Sequence, residues 1–257
     1  MADKDKLVAR LLINAALPLT RILVEENPGL AKKYARWDRV VQFQVESDPD
    51  LACHLLIKDG AVHYVGGRHE NPDIDFAFKN AAAFNALMTG KIGMPKIRGA
   101  LKNFSTLAGF LPLMLGLTLL LPSKKPKDPQ KRALKVKMLL YFISVALSQL
   151  NKAGDEEMKK FTGPMPDRIF QWSVAPDGPA VYLRVKKGRT KAGKGLYTRR
   201  KPFVHMIFSS LEGAFLVLTG QIDNVEAMKL GHLTVDGSPE YGKDIASIMK
   251  RIEAMVS

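Results

Sequence analysis

QFQVESDPDLACHLLIKDGAVHYVGG, residues 42–67, is echoed by QWSVAPDGPAVYLRVKKGRTKAGKG, residues 171–195. Apolar residues alternate with period two through Val41, Phe43 and Val45, then Leu55 and Ile57, and again through Val181, Leu183 and Val185, which predicts strands. Asp59-Gly60 and Lys187-Gly188 interrupt them with residue types that tight hairpins favour, since glycine reaches positive φ freely. Working outward, NPDIDFAFKNAAAFNALMTGKIG (71–93) overlays RKPFVHMIFSSLEGAFLVLTGQID (200–223), and IRGALKNFSTLAG (97–109) overlays KLGHLTVDGSPEYG (229–242). Gln42 falls on Gln171, Gly60 on Gly188, Pro72 on Pro202, Phe78 on Phe208, Thr89-Gly90 on Thr219-Gly220 and Gly99 on Gly231. A repeat of roughly 130 residues is domain-sized rather than a solenoid unit.

Each copy has one order of elements. After the hairpin comes a strand (Ile74, Phe76, Phe78; Val204, Met206, Phe208), a short helix (81–88; 211–218) ending at Thr-Gly, then a last strand and a closing helix. PSKKPKDPQKR, with three prolines among lysines, predicts an exposed linker over 122–132. Helices at 7–25 and 133–150 open the two copies, giving domains 1–121 and 133–257. The N-terminal run is read as an amphipathic helix (Leu7, Leu11, Ala15, Leu19, Leu23), because its early aspartates and lack of an A-x-A site argue against a signal peptide.

The hairpins ending in KDG and KKG, the strand DIDFAF, the helix ends LMTGKI and VLTGQI, and above all GHLTVDGSPEYGKDIASIMKRI (231–252) resemble the sterol carrier protein 2 (SCP-2) family, here in tandem. The resemblance implies an α+β fold, a twisted, mainly antiparallel sheet covered by helices, around an apolar tunnel for sterols, fatty acyl chains or isoprenoid quinone precursors. Candidate lining residues are Phe76, Phe78, Phe84, Leu107, Phe110, Leu111 and Met114 in the first copy and Met206, Phe208, Phe215, Ile248, Met249 and Ile252 in the second. Methionine and phenylalanine suit an adaptable pocket and an ordinary core equally.

The closing helices differ. In the second copy Tyr241, Ile245, Ile248, Met249, Ile252 and Val256 form a stripe opposite Lys243, Asp244, Lys250 and Glu253, with Ser238 and Pro239 at N-cap and N1. Its counterpart, FSTLAGFLPLMLGLTLLLP (104–122), has no polar face. Ser105, Gly109, Pro112 and Gly116 align as a small-residue side that lets another backbone approach, and Pro112 predicts a kink or break near Leu111. Three readings stay open: a buried core helix, a tunnel wall or lid touching membranes, or a transmembrane span.

A formal charge of +14 favours an anionic partner. Arg184, Lys186, Lys187, Arg189, Lys191, Lys194, Arg199, Arg200 and Lys201 crowd one hairpin and its loop, with no acid between Asp177 and Glu212, so they belong on a solvated surface and are candidates for contact with anionic membrane headgroups. GRTKAGKG (188–195) nearly spells a phosphate-binding loop but lacks its Ser/Thr and its helix. His54, His63 and His69 beside Glu70, Asp73 and Asp75 match no metal-ligand spacing, and neither metal nor other cofactor is expected. A recognition helix or aromatic platform for nucleic acid is not recognisable, and Phe203 and Phe208 are assigned to the sheet core. Cys53, the single cysteine, excludes an intramolecular disulfide and favours a reducing, cytoplasmic setting, peripheral on membranes at most. The expectation is a non-catalytic carrier that binds a hydrophobic lipid and transfers or presents it at anionic membranes, as a monomer or homodimer. The alternatives are a scaffold holding lipid intermediates, such as isoprenoid quinone precursors, beside pathway enzymes, and a lipid-modifying enzyme.

Overall fold

The computed structural model describes residues 2–256 and divides into two compact units, 2–121 with Val256 and 122–255. In the first, α1 (Ala2–Leu11), α2 (Thr20–Glu25) and α3 (Pro28–Tyr34) precede β1 (Asp38–Val45), β2 (Asp48–Lys58), β3 (Ala61–Gly66) and β4 (Ile74–Phe78), followed by α4 (Ala81–Met88), β5 (Lys96–Arg98) and α5 (Phe104–Leu117). In the second, α6 (Pro129–Lys152) and α7 (Glu156–Thr162) precede β6 (Arg168–Val174), β7 (Ala180–Lys186), β8 (Arg189–Lys194) and β9 (Val204–Phe208), followed by α8 (Leu211–Leu218), α9 (Asn224–Lys229), β10 (Leu233–Gly237) and α10 (Pro239–Met255). The sheets run β3-β2-β1-β4-β5 and β8-β7-β6-β9-β10. β1 with β4 and β6 with β9 are parallel, and every other pair is antiparallel. The mixed α+β class and the repeated element order therefore hold.

Local chemistry explains the match. Asp59 (φ 50) with Gly60 (φ 76), and Lys187 (φ 48) with Gly188 (φ 74), place two consecutive left-handed residues at each hairpin tip, as a type I′ turn requires. Asn80 and Ser210 cap α4 and α8 by accepting from Ala83 N–H and Gly213 N–H, at 3.0 and 3.1 Å. On the sheet face away from the apolar core, Gln42 Oε1 accepts from His69 N–H and Gln171 Oε1 from Tyr197 N–H, each at 2.7 Å. These two amides pin the loop that follows each hairpin, so the Gln42–Gln171 equivalence has a structural cause.

The overlay slips near its end. β5 and β10 put Gly99 and Gly237, not Gly231, in equivalent places: each has positive φ (83 and 95), and a Cβ would collide with the carbonyl of the residue just before the parallel strand, Asp73 or Phe203. The additional helix α9 in the second unit separates the registers. The predicted linker is also shorter, because α6 begins at Pro129 behind Asp128, whose side chain accepts from Lys131 N–H at 2.8 Å. The opening helix of the first unit is not uniform: a π turn at Leu12–Ala16 and a 3-10 turn at Leu17–Leu19 interrupt it, around Pro18, which has no N–H to give.

α5 is continuous through Pro112, so of the expected kink or break the break does not occur, and the helix ends in a 3-10 turn at Thr118–Leu120. Phe110 sits on the sheet, its ring 6.0 Å from Phe43 and 6.1 Å from Phe76. Tyr34 Oη donates to Gly109 O at 2.9 Å, Trp37 lies where a Gly109 side chain would be, and a Cβ at Gly116 would come within 2.5 Å of Leu23. The glycines thus admit neighbouring side chains and not the backbone expected beside them, while Ser105 is exposed. The other side of the helix stays open, with Phe104, Leu111 and Leu115 exposed. Phe104–Leu120 is shorter than the roughly 20 residues a spanning helix needs. Lys4–Glu25 and Pro129–Lys152 are long and apolar enough by composition, and most of each is buried inside the protein.

Candidate functional site

The inner face of the second sheet is built by strand alternation: Phe170, Trp172 and Val174 on β6, Val181, Leu183 and Val185 on β7, and Val204, Met206 and Phe208 on β9 are all buried. α6, α8 and α10 cover it. Phe215 on α8 is buried with the Arg132 guanidinium 4.8 Å over its ring, and α10 brings Ile248 and Ile252 into the interior and leaves Met249 half-buried. α10 enters over β9 at Gly242, where a Cβ would lie 3.5 Å from Val204 Cγ1 and 3.9 Å from Met206 Cε. Farther along α10, Arg251 grips Asp155, the N-cap of α7, through both terminal nitrogens at 2.8 and 2.5 Å. Burial pushes the Asp155 carboxyl up, but the Arg251 pair and the Met158 N–H outweigh it and hold it below its usual range. Of the six second-copy lining candidates, Met206, Phe208, Phe215, Ile248 and Ile252 are buried and Met249 is half-buried.

Trp172, which sequence patterning passes over, is 1% exposed, and its Nε1 has no hydrogen-bond partner among the described residues. Leaving such a donor unanswered costs about 1–3 kcal/mol. The available signal was an indole at an inward strand position, where its N–H meets apolar neighbours.

In the first unit Phe76, Phe78, Phe84 and Phe110 are also brought together and buried. Phe76 stacks on Phe43 at 5.0 Å and Phe78 meets Phe84 edge-on at 5.2 Å, so these rings fill the space over their sheet with one another. Leu107 and Met114 are half-buried. Leu111 departs from its expected inward placement: at 55% exposed it lies on the outer side of α5.

The basic residues lie along β7, β8 and the loop after them. Lys186, Lys187, Arg189, Lys191, Lys194, Arg199, Arg200 and Lys201 are exposed, and Arg184 is half-buried. Arg184 and Arg200 converge on Asp167 and hold its carboxyl well below the usual range. Tyr182, Arg184, Lys191, Lys194, Leu196, Tyr197, Thr198 and Arg199 line a cleft of about 250 Å³. The phosphate-loop-like segment is strand β8 and starts no helix.

The first-unit polar residues have structural employment. Asp75 accepts from Gln42, Gln44 and Arg98, Asp73 from Arg39 and Val40 N–H, and His54 Nδ1–H donates to Gly67 O at 3.0 Å. No three metal-ligating side chains converge among the described residues. Burial pushes the Cys53 thiol up, away from thiolate reactivity. At the place of Asp75 the second unit has His205, whose Nε2 accepts from Gln171 and Ser173, and burial lowers its pKa, which favours the neutral ring.

A five-stranded sheet with one parallel pair, its apolar face roofed by helices and its polar face stitched by side-chain amides, defines a class of protein with a hydrophobic interior. Residues 145–250, from within α6 to within α10, match the SCP-2 sterol transfer family. Similar solved structures include palmitated SCP2L2 from Aedes aegypti, 17% identical, with 42% of this chain and 90% of that one covered and a TM-score of 0.30. They also include the protein described as UbiJ-SCP2 Ubiquinone synthesis protein, 10% identical, with 43% and 95% covered and a TM-score of 0.32. The sec-alkylsulfatase Pisa1 from Pseudomonas sp. is 13% identical, with 66% and 30% covered and a TM-score of 0.29. No curated protein matches the chain.

Proposed function

We propose that the second unit binds a hydrophobic lipid, such as a sterol or fatty acyl chain, between its sheet and helices, and that the protein acts by carrying and presenting this ligand rather than by catalysis. The observation that carries the reading is the SCP-2 match over 145–250, which spans all of β6–β10 and most of the helical roof. Met206, Phe208, Phe215, Ile248, Met249 and Ile252 are the proposed lining. Burying the ligand's apolar surface drives binding, at about 25 cal/mol per Å². The unanswered Trp172 N–H supports a ligand that brings an oxygen acceptor with its chain.

The first unit, in this reading, is a diverged second copy. Its strand order, hairpin turns and the matched roles of Gln42 with Gln171 and Gly99 with Gly237 support that descent. Its mutually packed phenylalanines support a structural role for its interior. The basic hairpin of the second unit would face anionic membrane on the cytoplasmic side, each cation near such a surface contributing about 1 kcal/mol.

Native mass spectrometry of the protein as isolated, followed by organic extraction, tests the carrier role. A bound lipid that a fluorescent fatty acid or sterol displaces is expected. No co-purified lipid and no uptake of either probe would refute it.

A further inference from the structure

The cleft on the outer face of the second sheet has no part in the interior site. Tyr182 on β7 pairs with Gly193 on β8, and a side chain at 193 would collide with the phenol, so this glycine is what lets the ring lie across the neighbouring strand. Tyr197 meets that ring edge-on, at 5.1 Å and 69°, and its own backbone is held by Gln171. Arg184 is fixed on Asp167 through Nε and Nη2 at 2.8 and 2.6 Å. Around these ordered groups stand Lys191, Leu196, Thr198 and Arg199, and Lys194 borders the cleft with its Nζ turned to the Tyr141 ring of α6, 4.6 Å from the centroid. The side chains of Lys191 and Arg199 make no hydrogen bond or ion pair among the described residues. Cations and no carboxylate line the cleft, and the neighbouring acid, Asp167, is already shared by Arg184 and Arg200.

We propose that this cleft binds a phosphate ester, presented as the headgroup of an anionic membrane phospholipid. The Arg199 guanidinium and the Lys191 ammonium beside a concave site are suited to phosphate oxygens. Leu196, 56% exposed among them, offers apolar contact that a free phosphate would not use but a bilayer surface would. The tyrosines engage each other edge-on and Tyr182 crosses Gly193, so they do not form the parallel platform on which nucleic-acid bases stack. This inference deepens the membrane arm of the carrier reading and rests on it.

The full chain is titrated with phosphatidylcholine vesicles with and without phosphatidylglycerol, and separately with glycerol 3-phosphate and a single-stranded oligonucleotide. The variants are Lys191→Gln with Arg199→Gln in the cleft, and Lys186→Gln with Arg189→Gln beside the hairpin tip. The tip pair, with the same charge change, reads the diffuse attraction at about fivefold per charge, and removing the cleft pair should weaken binding to anionic vesicles at least tenfold more than that. Equal losses from the two pairs would mean diffuse attraction and overturn the site. Cleft-dependent binding of glycerol 3-phosphate or of the oligonucleotide, without cleft-dependent vesicle binding, would overturn the headgroup assignment. Displacement of a fluorescent fatty acid should be unchanged in both variants, and its failure in the parent protein alongside intact vesicle binding would break the interior-site reading instead.

Discussion

Phe110 and Leu111 are neighbours on α5 with opposite expected consequences. Phe110 is 1% exposed and lies against Phe43 and Phe76, whereas Leu111 is 55% exposed. Truncating a buried phenylalanine removes its transfer free energy and leaves a cavity, so Phe110→Ala should cost about 3–5 kcal/mol, and an exposed Leu111→Ala no more than about 0.5 kcal/mol. Trp37 provides the local probe, because its ring occupies the space beside Gly109 on the same helix. In a Trp172→Phe background, Trp37 fluorescence followed through a urea titration reads unfolding of the first unit. With an m-value of about 1.5 kcal/mol per M, Phe110→Ala should lower the midpoint by about 2–3 M while Leu111→Ala leaves it nearly unmoved. Similar midpoints for the two variants, or the larger loss at Leu111, would refute the placement of α5 over the first sheet and return the segment to a lipid-facing role.

Gly237→Ala combines a φ of 95 with a collision against Phe203 O, so it should destabilise the second unit by about 2–4 kcal/mol; Gly231→Ala, whose Cβ would meet nothing within 4 Å, should cost only about 1 kcal/mol. Trp172 fluorescence during denaturation reads both, and equal losses would undo the equivalence of Gly99 with Gly237. Lys135 is 1% exposed on α6, its Nζ donating to Lys124 O at 2.7 Å, and burial first, then the charge of Lys125, brings it down to about 8. The folded protein binds this proton more weakly than the unfolded chain, so stability should rise as pH climbs from about 8 toward 10.5. Lys135→Met should remove that rise and add up to about 3 kcal/mol at neutral pH; denaturation at neutral and alkaline pH checks it, and an unchanged profile would contradict it.

Strand alternation, hairpin turns and the Thr-Gly helix ends were legible because each is set by residues close in sequence, and Ala81–Met88 and Leu211–Leu218 appear with the expected bounds. The slip from Gly231 to Gly237 was not legible, since what fixes the equivalence is a clash with the carbonyl of Phe203, far away in the chain. Pro112 fails to break α5 because the helix is held from outside, by Tyr34, Trp37 and Leu23 on one side and the phenylalanines of the sheet below. Charge revealed the basic hairpin, but the cleft needs Tyr182 laid over Gly193, a cross-strand relation, and Tyr197 positioned by Gln171. Leu111 shows the limit of apolarity as a guide: a helix apolar all round gives no sign of which side meets the core.

Trp172 lies inside the proposed lipid site and can report on it directly. In a Trp37→Phe variant, the remaining indole is titrated with a dansyl-labelled fatty acid. The account predicts saturable quenching of Trp172 with energy transfer to the label, reversed by unlabelled lipid. Non-saturable or absent quenching, with the protein folded, would contradict lipid binding in the second unit.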